Sequence, residues 1–321
     1  TYYYLKYLNF FQDGIYSELN SYDIQTDHFH PHLGQYLWAF FSRISLVNNE
    51  IYGRLFYLFL YCFSLIYLSA LFIPKKNILS LISFIFLVLL TYNYENFSGY
   101  QEILIFSFLV LVSVNIFNIY NKDKYLTNFY ECLLIMNILI WTKSEGFVYA
   151  LILTIIILFS PIRKKEKLIA LFAYILFNLF KFIIFELNEF SSIARPGLYV
   201  IDHILNMDIT FLIIRIKQTI VWLIYYLMVN EVWIICLICL LLLTFKFKNS
   251  TINFNFLYLF FAFDVLFIFV SYIFPTIGTE YYIRTTLNRE IFSTSGFFII
   301  SLAIYGNLLL DKKETNEKQL S

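Results

Sequence analysis

The sequence predicts an all-α, polytopic helical membrane protein, and three observations carry that prediction. The 321 residues are 60% hydrophobic and only 14% charged, with a mean hydropathy of +0.71. A soluble domain of this size carries far more charge on its surface. Apolar runs recur along the chain, each close to the ~20 residues that cross a bilayer as a helix. Finally, the basic residues crowd into alternate links between those runs, as the positive-inside rule requires. The net charge of +1 gives no case for a nucleic-acid partner. The 38 Phe and 27 Tyr come with a wealth of Ile, Asn and Lys. Codon bias in an AT-rich genome is expected to enrich these residue types together, so the aromatics are not read as a stacking site.

From the N-terminus, "TYYYLKYLNFF" is too short to cross a membrane and is expected to be the end of a span that begins before Thr1. Nine spans are then expected at about 51–73, 78–94, 103–120, 126–142, 147–161, 168–187, 231–245, 253–275 and 297–310. Four of the five prolines (Pro74, Pro161, Pro196 and Pro275) stand at span ends or in loops, where a residue that breaks helices belongs. The links "PKKN", "NKDKYLTN", "PIRKKEK" and "KFKNS" and the tail 311–321 hold thirteen of the twenty-three Lys and Arg. Alternation puts all five on one side, the cytoplasm. Segment 209–229 is long enough to span but contains Arg215, Lys217 and Gln218. As a span it would invert every later loop, so it is read as an amphipathic or re-entrant helix on the outer side. With no repeat, heptad or soluble insert, residues 1–321 form one membrane domain, with outer loops at 1–50, 188–230 and 276–296.

This topology gathers the polar chemistry on one face. All four histidines fall there, as do Asp13, Asp23, Asp27, Glu95, Glu102, Lys143, Glu145, Arg195, Arg284 and Arg289. Transporters place their sites near the midplane, so a cluster at one interface favours an enzyme working at the outer surface. Lys181 and Asp264 stand inside spans. Intramembrane charges are costly and are paired, so these two are expected to face each other or line a cavity. Cys236 and Cys239 make a C-x-x-C within "VWIICLICLLLL", with no second ligand pair beside it. They are read as packing rather than zinc or redox chemistry.

Four short stretches carry candidate chemistry. "TDHFHPHLGQY" holds His28, His30 and His32 at alternate positions, which point the same way on an extended strand. With Asp23 or Asp27 they could ligate a metal, or they mark a junction between loop and helix. "ENFSGYQE" brackets an outer link with Glu95 and Glu102, a solvated loop on its plainest reading. "WTKSEG" holds Lys143 and Glu145 in a tight turn that Gly146 permits; a snorkelling lysine with its counter-ion explains it equally. "EYYIRTTLNREIFSTSG" presents Arg284 and Arg289 before the last span. Arginines suit phosphate through bidentate hydrogen bonds, and interfacial ones also bind lipid headgroups.

The order of these features resembles the C-type membrane glycosyltransferases, in particular the branch of dolichyl-phosphate-mannose protein mannosyltransferases and aminoarabinose transferases. "HPHLG" is similar to the family's HPPLG, "WTKSEG" to its TKNEG, and "TTLNR" to a weaker C-terminal pattern. The resemblance implies transfer of a sugar from a polyprenyl-phosphate donor to a lipid, glycan or protein acceptor at the outer face of a bacterial inner membrane. It implies Asp13 as the base that deprotonates the acceptor, with Asp27 and Asp23 as alternatives. It also implies Lys143, Arg289 and then Arg284 on the donor phosphate, and His30, His32, Glu95, Glu102 and Glu145 around the substrates. A divalent cation, Mg or Mn, is left open. The family's second proline is replaced by His32, its acidic pair is reduced to "QDG", and its soluble outer domain has no counterpart. Two further readings stand beside this one: a lipid-linked glycan polymerase or ligase, and a lipid-glycan flippase or other transporter.

Overall fold

The structure is a computed structural model, and it describes residues 33–44, 50–72, 77–92, 101–143, 145–187, 209–247, 252–273 and 279–320. Among these residues all regular structure is helical. The α-helices are α1 (Leu33–Ile44), α2 (Glu50–Ser69, prolonged by a 3-10 turn Ala70–Phe72), α3 (Asn77–Thr91), α4 (Glu102–Tyr120), α5 (Tyr125–Thr142) and α6 (Gly146–Phe159). They continue with α7 (Lys164–Leu187), α8 (Ile209–Val229), α9 (Glu231–Lys246), α10 (Asn255–Ile273), α11 (Thr279–Phe298) and α12 (Ile300–Leu320).

Five stretches are long and apolar enough to cross a membrane: Ile51–Phe72, Glu102–Tyr120, Lys164–Ile184, Asn255–Ile273 and Thr286–Leu310. The pair α8 and α9 passes the same test together but is bent by 88° at Asn230, which makes six if the pair counts as one span. Helices α3 and α6 are apolar but shorter, and α5 carries Asn128, Glu131 and Asn137 along its length. Length and composition therefore reach six crossings among the described residues, where the sequence led to an expectation of nine. The chain is that of a membrane protein, and its outward surface agrees. Phe59, Leu89, Leu134, Phe172, Leu187 and Phe245 are each more than half exposed, as side chains that meet lipid tails are.

Segment 276–296, expected as an outer loop, is the main correction. Its described part, from Thr279, is α11, which runs almost directly into α12. Nothing in "TEYYIRTTLNREIFSTSGFF" breaks a helix before Gly296, and packing supplies what its modest hydropathy lacks. Segment 209–229 is a helix, as expected, and its arginine has a structural reason. Arg215 is buried and donates to the carbonyl of Ile273, at the C-terminal end of α10, where a cation satisfies an end carbonyl and opposes the helix dipole.

Helix α4 is the axis of the bundle. Its apolar window is 83% buried, against 6% for the peripheral α7. It packs against α2, α5 and above all α11. The α4–α11 contact is close because α11 offers Gly296, where a β-carbon would lie 2.4 Å from the carbonyl oxygen of Phe106. Small residues let helix backbones approach where lipid supplies no hydrophobic drive. Phe106 and Phe292 stack across the seam at 4.8 Å, and Phe260 of α10 stacks on Phe297 at 3.9 Å. Polar ties then fix the register of the helices. The Tyr67 hydroxyl donates to Asn115 Oδ1 (3.0 Å), that of Tyr120 to the Ile156 carbonyl (2.9 Å), and the Trp233 indole to the Ile291 carbonyl (2.6 Å). The α4–α5 turn is held by asparagines: Asn128 Nδ2 donates to the carbonyls of Asp123 and Lys124, both at 3.0 Å.

Gly296→Ala is expected to lower the thermal unfolding temperature of the purified protein, at about 1–3 kcal/mol for overpacking. Gly306→Ala, whose β-carbon would meet only the Phe72 ring edge at 3.2 Å, serves as the tolerated control. Equal melting of the two variants would refute the close α4–α11 seam.

Candidate active site

One end of the bundle holds a buried ionic cluster built by three sequence-distant segments. Helix α4 begins at Glu102, an acid in the first turn, where the helix dipole favours negative charge. Glu102 is 1% exposed. Its Oε1 is 3.2 Å from Lys143 Nζ and 3.4 Å from Arg289 Nη1. Two cations thus converge on one carboxylate oxygen, and Glu102 Oε2 has no hydrogen-bond partner. Lys143 is also 2.8 Å from Glu145 Oε1.

The "WTKSEG" turn delivers this lysine. Lys143 is extended and ends α5, and the Gly146 amide donates to its carbonyl at 3.0 Å before α6 begins. A β-carbon at Gly146 would lie 1.8 Å from the Leu139 carbonyl oxygen, so only glycine allows α6 to start this close to α5. The turn is thereby short enough to hold Lys143 and Glu145 against the head of α4.

Arg289 comes from α11, at the middle of a polar stripe. Thr286, Arg289, Glu290 and Ser293 are spaced 3, 4 and 7 residues from the first of them, which is one face of a helix. The Ser293 hydroxyl donates to the Arg289 carbonyl at 3.0 Å and lies 3.4 Å from the Glu102 carbonyl, tying α11 to the start of α4. The Tyr272 and Thr286 hydroxyls are 2.8 Å apart. Glu290 takes a hydrogen bond from Tyr272, lies in the field of Glu145, Lys143 and Asp264, and leaves Oε2 without a partner. Tyr149, fully buried in α6, interacts electrostatically with Asp264, Glu290, Glu145 and Glu102.

A cavity of about 490 Å³ opens from this cluster between α6 and α10. Its polar lining is Glu145, Glu290 and Ser271, and its apolar walls include Leu151, Ile155, Leu266 and Phe267. Two buried amides, Gln35 and Gln101, have no hydrogen-bond partner for either polar atom. Gln101 is packed against Gly34, whose β-carbon would lie 2.9 Å from the Gln101 side chain.

Of the residues expected at the site, Glu102, Lys143, Glu145 and Arg289 are brought together. Arg284 is placed differently, on the exposed side of α11, where it stacks over Trp222 at 4.7 Å and pairs with Glu280 at 2.6 Å. Asp13, Asp23, Asp27, His28, His30, His32 and Glu95 lie outside the described residues. The expected facing of Lys181 and Asp264 is not found. Asp264 is fully buried, and the hydroxyl that approaches its carboxylate is that of Thr294 on α11. Lys181 lies against the Phe147 ring, 5.9 Å from its centroid, with Glu145 as the carboxylate it senses. Reading charge from sequence alone ignores helix rotation, and α7 turns its lysine toward the α6 terminus instead. Glu290, Tyr149, Tyr272, Gln35 and Gln101 were not singled out from the sequence, and the helical stripe through Glu290 was the signal available. Among the described residues no group of three or more His, Cys, Asp or Glu side chains converges as a metal site would.

Removing one partner of a buried ion pair costs about 3–5 kcal/mol, because the other is left uncompensated. Lys143→Met is therefore expected to destabilise more than the double variant Glu102→Gln/Lys143→Met, measured by thermal unfolding in detergent. Strictly additive losses would show that Glu102 and Lys143 do not sense each other. No family model matches the chain, and neither a curated protein nor a solved structure is similar to it.

Proposed function

We propose that the protein is an integral membrane glycosyltransferase that moves a sugar from a polyprenyl-phosphate donor to a lipid, glycan or protein acceptor. On this reading the bent α8–α9 pair is one crossing. Helices α3, α5 and α6 cross as well, which gives nine spans with the ionic cluster at the outer face of a cell membrane. The observation that carries the reading is the convergence of Lys143 and Arg289 on one oxygen of Glu102. Two cations held together in a largely dry site form an anion subsite, and the carboxylate oxygen occupies the place a phosphate oxygen would take.

The leaving lipid phosphate gains negative charge as the glycosidic bond breaks. Preorganised cations stabilise that charge without having to reorganise. Lys143 acts as a compact point charge, and Arg289, 29% exposed along its side chain, presents a planar fork that fits two phosphate oxygens. Glu102 and Glu145 position the lysine. The base that takes the acceptor proton is Asp13 or Asp27 of the N-terminal segment, an assignment that rests on the family resemblance. Arg284, at the surface, serves as a lipid-headgroup anchor more than as a phosphate ligand of the reaction.

A flippase or transporter is the second reading, favoured by one feature: Asp264, a carboxylate wholly buried inside a helix. Transfer of radiolabelled sugar from a pool of polyprenyl-phosphate sugars, in membranes containing the protein, separates the two readings. Lys143→Ala and Arg289→Ala are each expected to reduce transfer by about 10²–10³-fold, the loss typical of one oxyanion donor, with Arg284→Ala far milder. Absence of transfer from every donor by well-folded wild-type protein would overturn the transferase and favour movement of a lipid-linked glycan.

A further inference from the structure

The cavity between α6 and α10 is a groove with the dimensions of a lipid chain. Its walls are apolar, and Phe147, Leu151, Leu266 and Val270 are 38–57% exposed on the outside of the bundle, so the groove opens sideways, where the surface meets lipid tails. It runs along α6 from Glu145 to Ile155, about 15 Å at the rise of an α-helix. That is about half of the ~30 Å of hydrocarbon in a bilayer, the depth of one leaflet. One acyl chain of a membrane lipid fits this depth, whereas a polyprenyl tail runs far beyond it.

The polar end of the groove carries Glu290, Glu145 and Ser271. Glu290 is 3% exposed and takes a hydrogen bond from Tyr272, yet its Oε2 has no hydrogen-bond partner. A buried polar atom left unpaired is unfavourable, so a ligand that pairs with this oxygen gains by entering. Lys143, Glu145 and Asp264 all act on Glu290 through their fields, but its ionisation does not decide what fits it. Ionised, the carboxylate accepts a hydrogen bond; protonated, it also donates one. A hydroxyl does both and therefore pairs with Glu290 in either state. An ammonium pairs well only with the ionised form, and a phosphate meets two carboxyl groups at this end.

We propose that the groove binds a neutral lipid alcohol of the diglyceride type, with one acyl chain between α6 and α10 and the hydroxyl held by Glu290. The second chain stays in the bilayer through the lateral opening. The hydroxyl then lies beside the anion subsite, because Glu145, at the same end of the groove, is 2.8 Å from Lys143, and Glu290 follows Arg289 in α11. On the transferase reading this hydroxyl is the acceptor, a role that rests on that reading. Its proton passes to the base and its oxygen bonds the anomeric carbon. The bond from that carbon to the phosphate oxygen breaks, and its electron pair stays on the phosphate. Binding needs no turnover and stands apart from the reading.

The test compares dioctanoylglycerol with the dioctanoyl ester of propanediol, which shares both chains and carries a methyl group in place of the hydroxymethyl. Both are titrated by native mass spectrometry against the full chain. The alcohol is expected to bind about fivefold more tightly, the worth of one net hydrogen bond. Glu290→Met removes the partner and is expected to erase the preference. Glu290→Gln keeps a group that accepts and donates, and is expected to retain it. Leu151→Trp, which fills the groove, is expected to weaken both probes equally. Equal binding of the two probes by the wild type would overturn the proposal and mean that water satisfies Glu290. A preference that survives Glu290→Met would overturn it too. In the radiolabel assay, added dioctanoylglycerol is expected to yield a labelled glycosyl diglyceride that partitions into organic solvent. Transfer to other acceptors with none to the diglyceride overturns the acceptor role and leaves the transferase standing. Hydroxyl-selective binding with no transfer from any donor overturns the transferase and leaves the lipid site standing.

Discussion

The ion pairs at one end of this bundle are organised around one carboxylate oxygen. Glu102 Oε1 accepts a hydrogen bond from Lys143 and is ion-paired with Arg289, and those cations come from the α5–α6 turn and from α11. Without an anion between them, two like charges at this separation in a poorly solvated site would repel strongly. With it, three chain segments are locked at one point. The same point is the head of α4, the most buried of the five candidate spans among the described residues, so the ionic cluster and the bundle axis share an origin. Stability and the proposed anion subsite thus rest on the same atoms.

Around that point, packing follows the logic of a lipid solvent. Hydrophobic burial gives little drive between helices in a bilayer, and close backbone approach and buried hydrogen bonds take its place. Gly146 and Gly296 supply the approach; tyrosine and tryptophan supply donors that end on carbonyls of neighbouring helices. The two glycines also differ in consequence. Gly296 sets how near α11 lies to α4, whereas Gly146 sets how tightly the chain reverses and thereby where Lys143 points.

Helix boundaries were largely legible in the sequence, because hydropathy reports them directly. The segments expected at 51–73, 103–120, 126–142 and 253–275 fall within a few residues of α2, α4, α5 and α10. The membership of the site was half legible. Glu102, Lys143, Glu145 and Arg289 stood out as charges at the ends of apolar runs, but their meeting depends on contacts between segments up to 187 positions apart in the chain. Glu290 was missed because "TTLNREIFSTSG" was read as loop, and a loop has no faces. Once the segment is helical, its stripe of Thr286, Arg289, Glu290 and Ser293 is plain. Lys181 and Asp264 were misjudged for the related reason that depth in the membrane can be guessed from position while azimuth around a helix cannot.

Helix α6 has only 14 residues, which gives it a length of about 21 Å, against about 30 Å of hydrocarbon in an ordinary bilayer. On the nine-span reading, a bilayer meeting this wall has to accommodate the mismatch, by thinning beside it or by snorkelling of the flanking side chains. The mismatch falls on the helix that forms one wall of the cavity, so the short helix ties the local shape of the bilayer to the place where the cavity opens.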